Sequence, residues 1–171
     1  MTELAVKLRK IKMVILDVDG VLTDDTVFIG PDGMEFKRFC IADGLGIAIA
    51  KRYGINVAFL SGRQSPATEI RAKELGVEDI FQGPVNKLDY YTRLKEKYNL
   101  SDENIAYMGN DLVDVGVLNK CGLALTVSDS PITVRKTADY IAHKAGGFGA
   151  VREVLDMILE AQGFGEEDRL A

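Results

Sequence analysis

The stretch Val14-Ile15-Leu16-Asp17-Val18-Asp19-Gly20-Val21-Leu22-Thr23 decides how the rest of the chain is read. An unbroken apolar run suits a strand buried on both faces of a parallel sheet, and this run stops at a carboxylate. Asp17 is therefore expected at the carboxyl end of a strand, the edge where open α/β sheets bind ligands. Asp19, two residues on, projects to the same side if the chain stays extended, before Gly20 lets the backbone turn. Two carboxylates facing one crevice can hold a hard cation and divide nucleophilic and acid-base work. An Asp-x-Asp-Gly string alone is equally compatible with a plain turn, so the surrounding sequence has to decide.

Outward from this stretch, strand and helix signals alternate. Thr26 to Ile29 and Met34 to Phe39 flank Gly30-Pro31-Asp32-Gly33, a strong turn signal, which predicts a β-hairpin inserted at about residues 24–41. Its Val27, Phe28, Ile29, Phe36 and Phe39 are unusually apolar for a projecting loop and call for cover, for which another subunit is a source. Asp43 reads as the N-cap of a helix ending near Tyr53. A buried strand from Asn56 to Leu60 runs into Ser61-Gly62-Arg63. A helix from about Pro66 to Leu75, capped by Gly76, a short strand from Asp79 to Gln82 and a helix opened by Lys87 follow. The strand from Asn104 to Met108 leads into Gly109-Asn110-Asp111-Leu112-Val113-Asp114, expected to open a helix reaching Lys120. Leu123 to Val127, a helix from about Thr133, a strand near Tyr140 and a helix over 149–161 complete the pattern, and the tail over about 163–171 is expected to be mobile. This alternation predicts one Rossmann-like α/β domain over residues 1–171, with a mostly parallel sheet, helices on both faces and the hairpin after the first strand.

Composition removes several function classes. No apolar run approaches the roughly 20 residues of a membrane span, and a secretory signal is not evident, so a cytoplasmic location is expected. Cys40 and Cys121 lie far apart without a Cys-x-x-Cys pair, and His143 is the only histidine, which argues against thiolate or His-rich metal sites and against a Ser-His-Asp triad. The net charge of −5, without a basic cluster, disfavours nucleic acid but allows a small anionic substrate met by local cations.

Asp17, Ser61 and Asp111 each follow the end of an apolar strand, and Lys87 opens the helix after another. Taken singly, Ser61 reads as a turn residue, Lys87 as a solvated lysine, and Asp111 or Asp114 as a helix cap. Strand ends of one parallel sheet share an edge, however, so these groups can meet despite their separation in sequence. The constellation suits phosphoryl transfer, which needs a cation, a lysine and hydroxyl or backbone donors around the phosphoryl oxygens. Mg²⁺ takes oxygen ligands and keeps several waters, so two or three protein oxygens suffice. Asp17 is then placed to attack phosphorus, and Asp19 to protonate the leaving oxygen and activate water.

The Asp-x-Asp-Gly-Val-Leu-Thr string, the strand-ending Ser61-Gly62-Arg63, Lys87 and the Gly109-Asn110-Asp111-x-x-Asp114 string together resemble the haloacid-dehalogenase-type phosphatases of the capless kind. Within them, Leu16 to Asp24, the hairpin, Arg71, Phe81 to Leu88 and Gly146-Gly147-Phe148-Gly149 with Arg152 are most similar to the 3-deoxy-D-manno-octulosonate 8-phosphate phosphatases. The resemblance implies Asp17 as nucleophile and Mg²⁺ ligand, Asp19 as acid/base and backbone ligand, and Ser61, Gly62 and Lys87 on the phosphate. It also implies Asp43, Gly44, Arg63 and Arg71 near the sugar acid, a sugar-phosphate substrate, and homotetramers assembled through the hairpin, with the segment 146–149 reaching a neighbouring site.

Two positions depart from that pattern. Asn110 stands where an aspartate usually binds the metal, which leaves Asn110 or Asp111 as the further ligand. Ala48 stands where similar phosphatases often carry a substrate-binding arginine, which keeps other keto-sugar acid phosphates, sialic-acid-like ones included, in view. The intervals from Asp17 to Ser61 and from Ser61 to Lys87 leave no room for a separate cap. A phosphoacceptor receiver domain, which also gathers aspartates, a hydroxyl and a lysine around Mg²⁺, is the non-enzymatic alternative. Asp19 favours turnover over such a switch, because a receiver does not need an acid/base there.

Overall fold

The structure, a computed structural model, describes residues 2–84 and 86–169. Six strands form one all-parallel sheet: β1 (Met13–Leu16), β4 (Asn56–Ser61), β5 (Asp79–Gln82), β6 (Ile105–Met108), β7 (Leu123–Thr126) and β8 (Tyr140–Ile141). Their spatial order is β5-β4-β1-β6-β7-β8. The chain leaves β1 towards β4 and β5, then returns to β6 on the other side, so β1 lies at the switch point where a crevice opens. Leu16 is level with Phe59 of β4 and Met108 of β6, which brings the three strand ends to one rim.

Every residue of β1 is buried, as its apolar run requires. Side chains alternate between two cores. Val14, Leu16, Val57, Phe59 and Met108 pack with helices α1 (Glu3–Lys10), α2 (Ile41–Arg52) and α7 (Ala150–Ala161). Met13, Ile15, Leu60 and Tyr107 pack on the other face with α4 (Lys87–Lys97), α5 (Val115–Leu118) and α6 (Ile132–Arg135). Helix α3 (Pro66–Glu74) joins β4 to β5. Each such side chain taken fully out of water contributes roughly 1.5–3 kcal/mol.

The predicted hairpin forms from β2 (Phe28–Ile29) and β3 (Glu35–Phe36), antiparallel, with Gly30 N–H donating to Met34 O at 2.8 Å. The rungs are fewer than its apolar sequence suggests, and Phe28, Ile29, Met34 and Phe36 are all more than half exposed.

Two expectations are corrected. Asp43 lies inside the first turn of α2 and does not cap it; both its oxygens are taken by the start of α7, from Gly149 N–H at 3.2 Å and Arg152 N–H at 2.8 Å. The segment after Gly109 forms a single 3₁₀ turn at Leu112–Asp114 before the short α5, because Asp111 and Asp114 fold back on the backbone there. Beyond α7, Phe164 packs against Tyr53 at 4.6 Å between ring centroids with the rings tilted by 38°, and α8 (Glu166–Arg169) follows. Residues 170 and 171 of the tail expected to be mobile lie outside the described residues.

Candidate active site

Asp17 stands at the end of β1, 5% exposed. It accepts the Val18 N–H at 2.7 Å through Oδ1 and the Lys87 ammonium at 2.8 Å through Oδ2. Lys87, brought up by the first turn of α4, also donates to Asp114 Oδ1 at 2.6 Å. Asp114 has no exposed surface: Tyr107 O–H donates to the same oxygen, and the N–H groups of Asn110 and Asp111 donate to Oδ2 at 3.0 and 3.1 Å. One buried lysine thus sits between two buried carboxylates, of which Asp114 also ties down the loop after β6.

Burial and the charge of Asp114 outweigh the attraction of Lys87 and push the Asp17 carboxyl up to about 7. Burial works against the Lys87 charge, but Asp17 and Asp114 together hold its pKa above the ordinary lysine value. Tyr107 is raised well above the usual phenol by burial and then by the same two carboxylates, so it stays a donor.

After Asp17 the chain does not remain extended: Val18 O accepts from the N–H groups of Val21, Leu22 and Thr23, which curls the segment into a loop. Asp19 still reaches the same crevice as Asp17. The two line a cavity of about 230 Å³ with Asp25, Gly62, Arg63, Lys87, Asn110, Asp111 and Val113. Gly20 has φ +81°, and a Cβ there would meet the Asn110 amide nitrogen at 2.0 Å, so glycine lets Asn110 lie over the loop.

Ser61 is at the rim but its hydroxyl is fully buried, donating to Arg63 O at 3.0 Å and accepting from Arg63 N–H at 3.2 Å; Gly62 and Arg63 form the cavity wall there. Arg63 pairs with Glu35 at 2.7 Å and approaches Asp19 at 3.9 Å. Gly44 and Arg71 are brought together away from this cavity. The Arg71 guanidinium covers Gly44, is held by Cys40 O at 3.3 Å and Glu74 at 2.9 Å, and lines a separate cleft of about 490 Å³ between the hairpin and α3. Asp43 is buried beneath α7, as described above.

The donor set fits a hard cation. The cavity offers carboxylate and amide oxygens from Asp17, Asp19, Asp25, Asn110 and Asp111, the ligand type Mg²⁺ prefers. Asp25 is raised by burial and then by the charges of Asp19, Asp111 and Asp129, a field that a cation relieves. Among the described residues no three His, Cys, Asp or Glu side chains form a metal cage by themselves. Asp111 Oδ1 accepts the Leu112 N–H as a cap at 2.7 Å, and both Asn110 and Asp111 keep an oxygen that can face a cation in this cavity.

Several participants escaped the sequence reading. Asp114 lay within a quoted string but read as a cap; Asp25, Glu35 and Lys37 were not singled out. Lys37 Nζ lies 2.7 Å from Asp19 Oδ1, and the i, i+2 spacing of Glu35 and Lys37 in an extended segment is the signal that puts both on one side. The segment 146–149 packs on its own catalytic loop: Gly147 N–H donates to Val21 O at 3.0 Å, and a Cβ at Gly146 would lie 1.9 Å from Gly20 O. Its glycines therefore serve close backbone approach within one chain, while Phe148 of the same segment stays exposed.

Residues 60–155 match the model of the haloacid dehalogenase-like hydrolases. The chain is 44% identical over 162 residues, 95% of its length and 86% of the relative's, to the 3-deoxy-D-manno-octulosonate 8-phosphate phosphatase of Salmonella typhi. The chain is a haloacid dehalogenase-like hydrolase. A solved structure of the Moraxella catarrhalis 3-deoxy-D-manno-octulosonate 8-phosphate phosphatase, in complex with magnesium ion, phosphate ion and KDO, is similar with a TM-score of 0.94 at 38% identity, covering 98% of this chain and 96% of that one. The cobalt-bound deoxy-D-mannose-octulosonate 8-phosphate phosphatase of Haemophilus influenzae gives 0.89 at 42% identity, with 92% of each chain covered. Among the described residues, the hairpin, α2 and β4 fill the interval from Asp17 to Ser61, and α3 and β5 the interval from Ser61 to Lys87, which leaves no separate lid there.

Proposed function

We propose that this chain is a Mg²⁺-dependent phosphatase that hydrolyses 3-deoxy-D-manno-octulosonate 8-phosphate to the free sugar acid and phosphate. The observation that carries the reading is that Asp17, buried at the end of the central strand, shares one cavity with Asp19, Arg63, Lys87 and Asn110. The magnesium-, phosphate- and KDO-bound relative supports both the cofactor and the substrate class.

Asp17 Oδ attacks phosphorus, the bond from phosphorus to the sugar oxygen breaks, and that oxygen takes a proton from Asp19. Water then attacks phosphorus of the aspartyl phosphate and gives a proton back to Asp19, and the bond from phosphorus to Asp17 Oδ breaks, releasing phosphate and the free carboxylate. Lys87 and Gly62 N–H bind phosphoryl oxygens, and Ser61 joins them by exchanging its Arg63 carbonyl acceptor for phosphate. The Asp17 carboxylate, the Asp19 backbone carbonyl and the Asn110 amide oxygen hold Mg²⁺, with Asp111 close by. When bound, the ion offsets the repulsion between an anionic nucleophile and an anionic ester. Arg63 faces the sugar acid directly, while Gly44 and Arg71, with Asp43 behind them, shape the hairpin side of the site.

The same reading makes the protein a cytoplasmic homotetramer, with the exposed Phe28, Ile29, Met34 and Phe36 packed between hairpins. No helix among the described residues is long and apolar enough to cross a membrane. The test is phosphate release across 2-keto-3-deoxy sugar acid phosphates, sialic-acid-like keto acid phosphates and ordinary hexose phosphates. Strong Mg²⁺-dependent preference for the octulosonate ester is expected; preference for another ester reassigns the substrate, and a stable phosphoprotein without turnover indicates a receiver-like switch.

A further inference from the structure

We infer that Lys37, at the base of the hairpin, is a positioning residue for Asp19, so that the hairpin is part of the catalytic machinery as well as a packing surface. The Lys37 side chain is 0% exposed, and burying an ammonium is costly unless carboxylates surround it. Its Nζ lies 2.7 Å from Asp19 Oδ1, 3.8 Å from Glu35 Oε1 and 3.4 Å from the Thr68 hydroxyl on α3. Glu35 in turn holds Arg63 at 2.7 Å, and Arg63 Nε is 3.9 Å from Asp19 Oδ2. Asp19, Lys37, Glu35 and Arg63 thus form a ring of alternating charge in which Lys37 of the hairpin holds Asp19 Oδ1 closely and Arg63 of the loop after β4 faces Oδ2 at 3.9 Å.

The ring also explains why a site without a lid can be well ordered. Asp19 belongs to the wall of the catalytic cavity and Lys37 to the wall of the hairpin cleft, so their contact ties the two together. A displacement of about 1 Å in a catalytic group can cost on the order of 100-fold in rate. The Lys37 side chain has no exposed surface to offer a substrate, so its effect on the reaction passes through Asp19.

This inference rests on the proposed acid/base role of Asp19, and the experiment separates the two. We would measure kcat and KM for the sugar phosphate and for p-nitrophenyl phosphate, whose leaving group needs no proton, in Asp19→Asn, Lys37→Met and Lys37→Gln. If Asp19 is the acid, Asp19→Asn lowers kcat/KM far more for the sugar phosphate than for the aryl ester. Lys37→Met is then expected to reproduce that bias, losing about 10-fold or more on the sugar phosphate and under about threefold on the aryl ester, with KM for the sugar phosphate within about twofold. Lys37→Gln keeps a donor for Asp19 and is expected to show a smaller loss with the same bias; it carries the test if the methionine variant does not fold. Equal losses on both esters in Asp19→Asn overturn the acid/base role and with it the inference. A biased Asp19→Asn beside an unbiased or unaffected Lys37 variant overturns the inference alone, as does a raised KM with kcat intact, which makes Lys37 a substrate contact.

Discussion

Asp114, itself fully buried, satisfies a lysine, a tyrosine and two backbone N–H groups at once. Removing one member of a buried charged network leaves its partners unpaired, so Asp114→Ala is expected to destabilise the protein by about 3–5 kcal/mol, read by urea denaturation. A loss near zero would mean that water replaces the carboxylate. Asp17 gives a second expectation. Its carboxyl lies near 7 in the fold against an ordinary value of 3.8, so the folded protein binds more protons than the unfolded chain between those values. The metal-free protein therefore loses stability as pH rises through that window. Mg²⁺, which needs ionised Asp17, is expected to raise Tm more at about pH 8 than at about pH 5 relative to chelated samples; equal gains would contradict the site assignment. At this scale the sequence was legible where a residue type is tied to an element boundary, as with Asp17 at the end of β1 and Lys87 at the start of α4. It was opaque for Asp114 and Lys37, because a buried counterion and a solvated charge are spelled with the same letters.

The glycine-rich strap at 146–149 and the catalytic loop are packed backbone to backbone, with Gly146 against Gly20 O and Gly147 against Thr23. A methyl at Gly146 must push the loop aside, an overpacking cost of roughly 1–3 kcal/mol. Gly146→Ala is therefore expected to cut kcat at least about tenfold while the protein still melts cooperatively, since about 1 Å of misplacement is felt at Asp19 before the core is disturbed. Unchanged kcat would show that the strap does not set the loop. The strands, the hairpin turn and Gly76 after α3 were readable from local periodicity and turn chemistry. Asp43 was not, because the helix it caps, α7, starts more than 100 residues away and nothing local records that partner.

At the scale of the whole molecule, the parallel order with β1 at the switch point gathers residues from four strand ends, and this much followed from the alternation of elements. Subunit number did not, since an apolar hairpin announces only that it needs cover. Deleting the hairpin tip at residues 31–33 is expected to reduce the sedimentation coefficient to that of a smaller species while leaving Lys37, just after β3, in the chain; an unchanged value would remove the hairpin from the interface. The central claim is that Asp17 carries the phosphoryl group, and acid quenching during turnover with Mg²⁺ followed by peptide mass spectrometry tests it most directly. A phosphoryl adduct on Asp17 is expected in the wild-type chain and none in Asp17→Asn, which should also release no phosphate. An adduct on another residue, or phosphate release by Asp17→Asn at the wild-type rate, would contradict the account.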